Sequence, residues 1–268
     1  MIPKKLHYCW LSGETIPERT KECMETWQKI MPEYELVLWD KSKFDIDTVP
    51  FVSEAVSVKK WACAADYIRL YALYTEGGIY LDTDVLVKKT FNDLLKCDFF
   101  TSLEYHNHSN ETKSYAQELL NEDGTLKEPF IEKPFTRGIG IQAAVLAGVK
   151  GHPYLQDCLD WYKGKHFILP DGSYYMKVIA PAIYADVAIK YGFRYSDEWQ
   201  SLPHNMVIYP SAIFAGSMGE SVQESYAIHC CHGSWRDRPP MSLSQKIKQK
   251  FRKNKTLRKF LGKKPLEW

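Results

Sequence analysis

Short apolar runs alternate with helical patterns along the first hundred residues. Residues 2–10 read as a first strand, apolar near its end and closed by Ser12-Gly13. Pro17 suits the first turn of a helix, where its missing N–H is not needed, and residues 18–30 fit a helix that stops before Pro32. Residues 35–39, ELVLW, read as a short buried strand. Residues 58–76 are rich in Ala, Leu and Tyr and predict a helix that ends at Gly77-Gly78. Residues 79–87 form an apolar run broken by two aspartates, hence a strand leading into a site. Further strands are predicted over 99–105, 207–214 and 225–231, helices over 152–162 and 175–191, and an apolar segment over 139–149. Residues 106–136 are polar and read as an inserted loop or lid.

Strands alternating with helices predict an α/β fold with a mostly parallel central sheet, flanked by helices. Ligands of such sheets bind beyond the carboxyl ends of the strands. The Asp82/Asp84 pair lies where the apolar stretch 79–81 runs out.

The chain has 268 residues, 45% apolar and 25% charged, which excludes collagen-like, disordered and coiled-coil classes. The expected organisation is one domain over 1–240 and a separate tail over 241–268. No run of 18 or more apolar residues exists to span a bilayer. The opening residues have no apolar run of signal-peptide length, so secretion is not expected. The seven cysteines are odd in number and scattered, and read as reduced thiols of a cytosolic protein. The formal charge of +2 splits into +10 between Lys246 and Lys264 and −8 elsewhere. That basic stretch includes Ile247, Phe251, Leu257, Phe260 and Leu261 at roughly helical spacing. It predicts an amphipathic helix on an anionic membrane surface, and hence peripheral placement at the inner face of the cell membrane. A solvated basic end is the alternative. No nucleic-acid-binding motif accompanies it.

The sharpest chemical signal is Gly77-Gly78-Ile79-Tyr80-Leu81-Asp82-Thr83-Asp84-Val85. Residues two apart on a strand face the same side, so Asp82 and Asp84 are expected to project together. Their repulsion is relieved by a divalent cation, and oxygen ligands suit Mg²⁺ or Mn²⁺. An exposed Asp-Thr-Asp turn is the bland alternative. Asp66 and Arg69, three apart, share a helix face. On a surface they would be a salt bridge worth under ~1 kcal/mol. The small and apolar residues around them predict burial instead, and a buried pair needs further partners, such as sugar hydroxyls.

Ala64-Ala65-Asp66-Tyr67-Ile68-Arg69 followed by the Gly77–Asp84 segment resembles the signature of the sugar-transferase family with the DXD motif. That family includes capsule and exopolysaccharide transferases, initiating mannosyltransferases and, more distantly, glucosylating toxins. Residues 2–10 are similar to its first strand, and His229-Cys230-Cys231-His232-Gly233-Ser234-Trp235 to its last active-site strand. The resemblance is dense over 1–105, returns at 225–235 and is weak between. It implies a Rossmann-like GT-A fold, a Mn²⁺ or Mg²⁺ ion, a UDP-sugar donor and a glycan or lipid-linked acceptor. It also implies retention of anomeric configuration. By resemblance, Tyr8 and Trp10 lie at the donor, with Trp10 stacked on the base; Asp66 and Arg69 bind the donor sugar; and Tyr80 packs beside it. Asp82 touches the ribose or sugar and belongs with Asp84 and His229 to the metal set, with His232 as an alternative ligand. Ser234 and Trp235 close over the diphosphate. Asp82, Asp84 and Arg69 are the candidate catalytic groups.

Cys230-Cys231 stand where the family usually has an aromatic, and the His-Cys-Cys-His run is a zinc candidate whose side chains alternate faces. Arg137, Gln142 and Pro181 are the candidates for acceptor contacts in the weakly matched middle. Two other classes remain open. One is a haloacid-dehalogenase-type phosphatase, whose Asp-x-Asp motif residues 79–84 also mimic. The other is a non-catalytic sugar-binding protein.

Overall fold

The computed structural model describes residues 1–105, 110–128, 130–132, 138–176 and 178–231. The first strand β1 (Lys5–Cys9) leads to helix α1 (Glu18–Ile30) and strand β2 (Glu35–Trp39). Helices α2 (Pro50–Ser57) and α3 (Trp61–Glu76) precede strands β3 (Gly78–Leu81), β4 (Val85–Val87) and β5 (Phe99–Tyr105). Helix α4 (Asn110–Leu119) and strands β6 (Ile139–Ile141) and β7 (Val145–Gly148) follow. The remainder is α5 (Pro153–Trp161), α6 (Ala180–Ile189), β8 (Gln200–Leu202), β9 (Met206–Tyr209), β10 (Phe214–Ala215) and β11 (Ala227–His229).

The chain is α/β, and its large sheet runs in the order β2-β1-β3-β7-β5-β9-β8, with β6 added against β5. Parallel pairing joins β1 to both β2 and β3, and β5 to β9. Strand β7 enters antiparallel between β3 and β5, so the sheet is mixed. A small second sheet runs β10-β11-β4. Side chains alternate across the large sheet: Ile79 and Leu81 join one apolar cluster with Trp27, Phe100 and Phe214, while Tyr80 joins the other with Val37, Ile68 and Leu146. Burial on both faces is what permits near-continuous apolar strands.

Several elements differ from those predicted. Helix α2 was not foreseen; Pro50 occupies its first turn. The helix predicted over 58–76 begins only at Trp61, because Lys59 takes a φ of 60° and the Lys60 N–H closes back on the Ala55 carbonyl. The helix predicted over 175–191 begins at Ala180, with Pro181 in its first turn. The strand predicted over 79–87 is two strands in two different sheets, separated by a tight turn in which Val85 N–H donates to the Asp82 carbonyl. Within 106–136, the polar insertion contains α4.

All described residues lie within Met1–His232. Among them, no helix is long and apolar enough to cross a membrane. The basic stretch 246–264 lies outside the described residues.

Candidate active site

The site begins at the end of α3. Gly77 caps the helix with φ 67°, and its N–H returns to the Leu73 carbonyl. Gly78 follows at φ 127°. A Cβ there would meet His7 Nε2 at 2.8 Å and the Lys5 carbonyl at 3.0 Å. His7 is fully buried on β1. Its Nδ1 lies 2.9 Å from Trp39 Nε1, and its Nε2 lies 2.8 Å from the Gly77 carbonyl. The indole N–H can only donate, so Nδ1 accepts and the proton sits on Nε2. Burial holds the imidazole below its ordinary value, in keeping with a neutral ring. This joint sets where β3 starts, and so where its far end delivers Asp82.

Arg69 is 3% exposed and reaches two carboxylates. Its Nη1 is 2.8 Å from Asp66 Oδ1 and its Nη2 is 3.1 Å from Asp82 Oδ1. Tyr80 donates to the same Asp82 oxygen at 3.1 Å, and its ring lies 5.0 Å from the guanidinium carbon. The two acids raise Arg69 well above its ordinary value, overcoming its burial. Burial pushes Asp66 up to about 6, against the pull of Arg69 and with help from the Asp82 charge. The structure thus joins α3 to the end of β3 through one guanidinium, with Arg69 buried and Asp66 partly buried.

Asp82 and Asp84 project from the turn between β3 and β4. Their proximity comes from that turn and not from alternation along one strand, as the sequence pattern predicted. The turn is pinned on both sides: Asp82 N–H donates to the Ala144 carbonyl, and Cys230 N–H to the Asp84 carbonyl. Strand β11 pairs antiparallel with β4, placing His229 opposite Val85. His229 Nε2 therefore lies 3.3 Å from Asp84 Oδ1. Burial pulls this imidazole down, but the hydrogen bond to Asp84 prevails and holds it well above the ordinary histidine value.

Asp82, Asp84 and His229 each offer a ligand atom, all within 4.8 Å of one another. At bonds of about 2.1 Å, ligands of one octahedral cation stand about 3 Å apart when adjacent and about 4.2 Å apart when opposite. Two carboxylates and one imidazole, gathered this closely, are a donor set that suits a divalent ion such as Mn²⁺.

Other predicted residues are spread more widely. Tyr8 packs edge-on against Trp27, whereas the next residue, Cys9, lies with Tyr80 and Arg69; the two occupy opposite faces of β1. Trp10 Nε1–H donates to the Glu14 carbonyl at 2.6 Å. Gln142 is buried and its Nε2 donates to Ser102 Oγ and the Phe214 carbonyl. It also lines a cleft with Glu104, Tyr105, Phe214, Glu220 and His229. Pro181 sits at the start of α6, and its carbonyl would lie 2.6 Å from any Cβ at Gly140. Arg137, His232, Ser234 and Trp235 lie outside the described residues.

Two participants were not singled out from the sequence. Tyr184 on α6 is fully buried and donates to the Asp66 carbonyl at 3.0 Å. Cys9 is sealed beneath the cluster, and burial pushes its thiol up to about 12. Neither has a local signal: both read as ordinary apolar-run residues until distant strands and helices meet.

Part of the chain is similar to known proteins. Residues 17–101 match the family described as glycosyltransferase sugar-binding region containing DXD motif. Over 98 residues, 35% of this chain and 27% of the relative, the chain is 38% identical to inositol phosphoceramide mannosyltransferase 3 of Schizosaccharomyces pombe. Over 109 residues, 37% of this chain and 42% of the relative, it is 31% identical to an uncharacterized glycosyltransferase of Acanthamoeba polyphaga mimivirus. The chain covers less than half the length of both. A solved structure titled PaToxG glycosyltransferase aligns at TM-score 0.46 and 17% identity, over 70% of this chain and 69% of its own. Residues 17–101 thus match a glycosyltransferase sugar-binding region containing the DXD motif, and Asp82-Thr83-Asp84 is an Asp-x-Asp sequence within the matched span.

Proposed function

We propose that the chain is a metal-dependent glycosyltransferase. It moves a sugar from a nucleotide-sugar donor, a UDP-sugar by preference, to a polysaccharide or lipid-linked oligosaccharide, with retention of anomeric configuration. The observation that carries this reading is the meeting of Asp82, Asp84 and His229 beside the Asp66–Arg69 pair.

Asp82, Asp84 and His229 would hold Mn²⁺ or Mg²⁺. Bound there, the ion supplies neutralisation of the charge that grows on a departing diphosphate. Arg69 aligns Asp82 through Nη2 and Asp66 through Nη1, so both carboxylates face the site in fixed orientations. Each can accept a hydroxyl of the donor, and the fixed arrangement needs little reorganisation during transfer. The cleft beside His229 mixes apolar Leu103, Tyr105 and Phe214 with polar Glu104, Gln142 and Glu220. That lining suits an acceptor sugar, which presents apolar ring faces and hydroxyl edges. Ser234 and Trp235 are assigned to the diphosphate by resemblance alone.

The basic stretch 246–264 supports attachment to an anionic membrane face from the cytoplasm. A lipid-linked acceptor also agrees with the name of the matched mannosyltransferase.

A panel of UDP- and GDP-sugars tests the reading, by thermal shift and donor hydrolysis with and without Mn²⁺. Mn²⁺-dependent stabilisation and turnover by at least one donor is expected. Absence of both across the panel overturns it. Product anomeric configuration, read by NMR, tests retention.

A further inference from the structure

We propose that Cys23 and Cys230 are a modification site: a thiol pair that closes to a reversible disulfide in the presence of a peroxide, stapling α1 to the segment that carries His229. The two Sγ atoms lie 3.9 Å apart, in contact, although 207 positions separate them in sequence. Their approach is held by the fold. Cys23 precedes Trp27 by one helical turn, so both point from the same face of α1. Trp27 Nε1–H donates to the Val85 carbonyl at 2.7 Å, and Thr26 Oγ1 accepts from Val87 N–H at 2.9 Å. On the other side, Cys230 N–H donates to the Asp84 carbonyl at 2.9 Å. The two sulfurs are therefore anchored to the successive carbonyls of Asp84 and Val85. A disulfide needs about 2.05 Å between sulfurs. The remaining approach of about 2 Å is on the scale that side-chain torsions supply.

Exposure assigns the order of events. Cys230 is partly exposed, whereas Cys23 is 4% exposed. The Cys230 sulfur attacks one peroxide oxygen, the O–O bond breaks, and water leaves, giving a sulfenic acid. The Cys23 sulfur then attacks the Cys230 sulfur. The S–O bond breaks and the hydroxyl departs as a second water with the Cys23 proton. Two thiols lose two electrons and two protons, and the peroxide is reduced to two waters.

The test uses the full reduced chain, treated with a small excess of hydrogen peroxide, alkylated and mapped by peptide mass spectrometry. The expected result is a linked Cys23–Cys230 peptide pair, lighter by two hydrogens and restored by dithiothreitol. The oxidised protein is also expected to melt several degrees higher, because the cross-link closes a very long loop of the unfolded chain. In Cys23→Ser, Cys230 has no resolving partner and is expected to run on to the sulfinic acid. If that variant does not fold, Cys230→Ser serves: its Cys23 is expected to remain alkylatable only on unfolding, with no linked peptide. Full recovery of alkylated Cys23 from the oxidised wild-type chain after denaturation overturns the proposal. So does linkage of Cys230 to Cys231 or to a second chain in place of Cys23.

Discussion

Arg69 Nη2 donates to Asp82 Oδ1 across 3.1 Å, so a residue of α3 orients the first carboxylate of the β3–β4 turn. Lysine keeps the charge but cannot reach Asp66 and Asp82 with two fixed prongs. Arg69→Lys is expected to lower kcat/KM for the donor about 100-fold, equal to about 2.7 kcal/mol of lost stabilisation. Arg69→Met leaves both acids without their cation and is expected to cost about 3–5 kcal/mol of folding stability. Steady-state kinetics and urea unfolding check the two outcomes separately.

Asp84→Asn and His229→Ala each remove one member of the ligand set. Each is expected to weaken Mn²⁺ binding by about 100-fold or more, a larger loss than outer-sphere changes give. Titration of Mn²⁺ followed by electron paramagnetic resonance measures this without any donor present. Chelation with EDTA is expected to abolish donor turnover, and added Mn²⁺ to restore it.

Asp66 supplies a pH limb. Its folded value, pushed up to about 6, lies above the ordinary carboxylate value of 3.8. Between those two values the folded chain holds a proton that the unfolded chain has released. Its contribution to stability therefore falls as pH rises through that window and is level above about pH 6. Donor binding needs the ionised form, so kcat/KM is expected to drop tenfold per pH unit below about 6. Asp66→Asn is expected to flatten both profiles. A wild-type kinetic limb that survives unchanged in Asp66→Asn would falsify this assignment.

Gly78→Ala places a methyl group 2.8 Å from His7 Nε2, at a backbone φ of 127° that L-residues avoid. Backbone strain and the displaced His7 together predict a loss of about 3 kcal/mol or more. Thermal and urea melts of the variant measure it, and Gly13→Ala, at φ 71° but with open space, is expected to cost less.

The parts of the site visible in sequence were those with local spacing. Asp66 and Arg69 sit one helical turn apart, and the paired glycines announced the stop before β3. The closeness of Asp82 and Asp84 was visible, but its cause was not: an alternating strand and a tight turn both bring residues two apart together. The carbonyl of Ala144, which accepts from Asp82 N–H, comes from the bend just before β7, much later in the chain. Tyr184 and Cys9 remained hidden for a related reason, since their roles depend on which distant surface packs over them. The sheet was legible as α/β from its alternation with helices, whereas the insertion of β7 antiparallel between β3 and β5 has no signature in either neighbour.

The short strand β4 carries a burden beyond its three residues. It continues directly from the acidic turn and meets β11 rung for rung, with Val85 opposite His229. A slip of one rung would swing every β11 side chain to the reverse face. Both carboxylates would then survive intact while their nitrogen counterpart faced away. An insertion or deletion of a single residue between Phe214 and Ala227 is harmless if the intervening loop absorbs it, and erases the triad if the strand absorbs it instead.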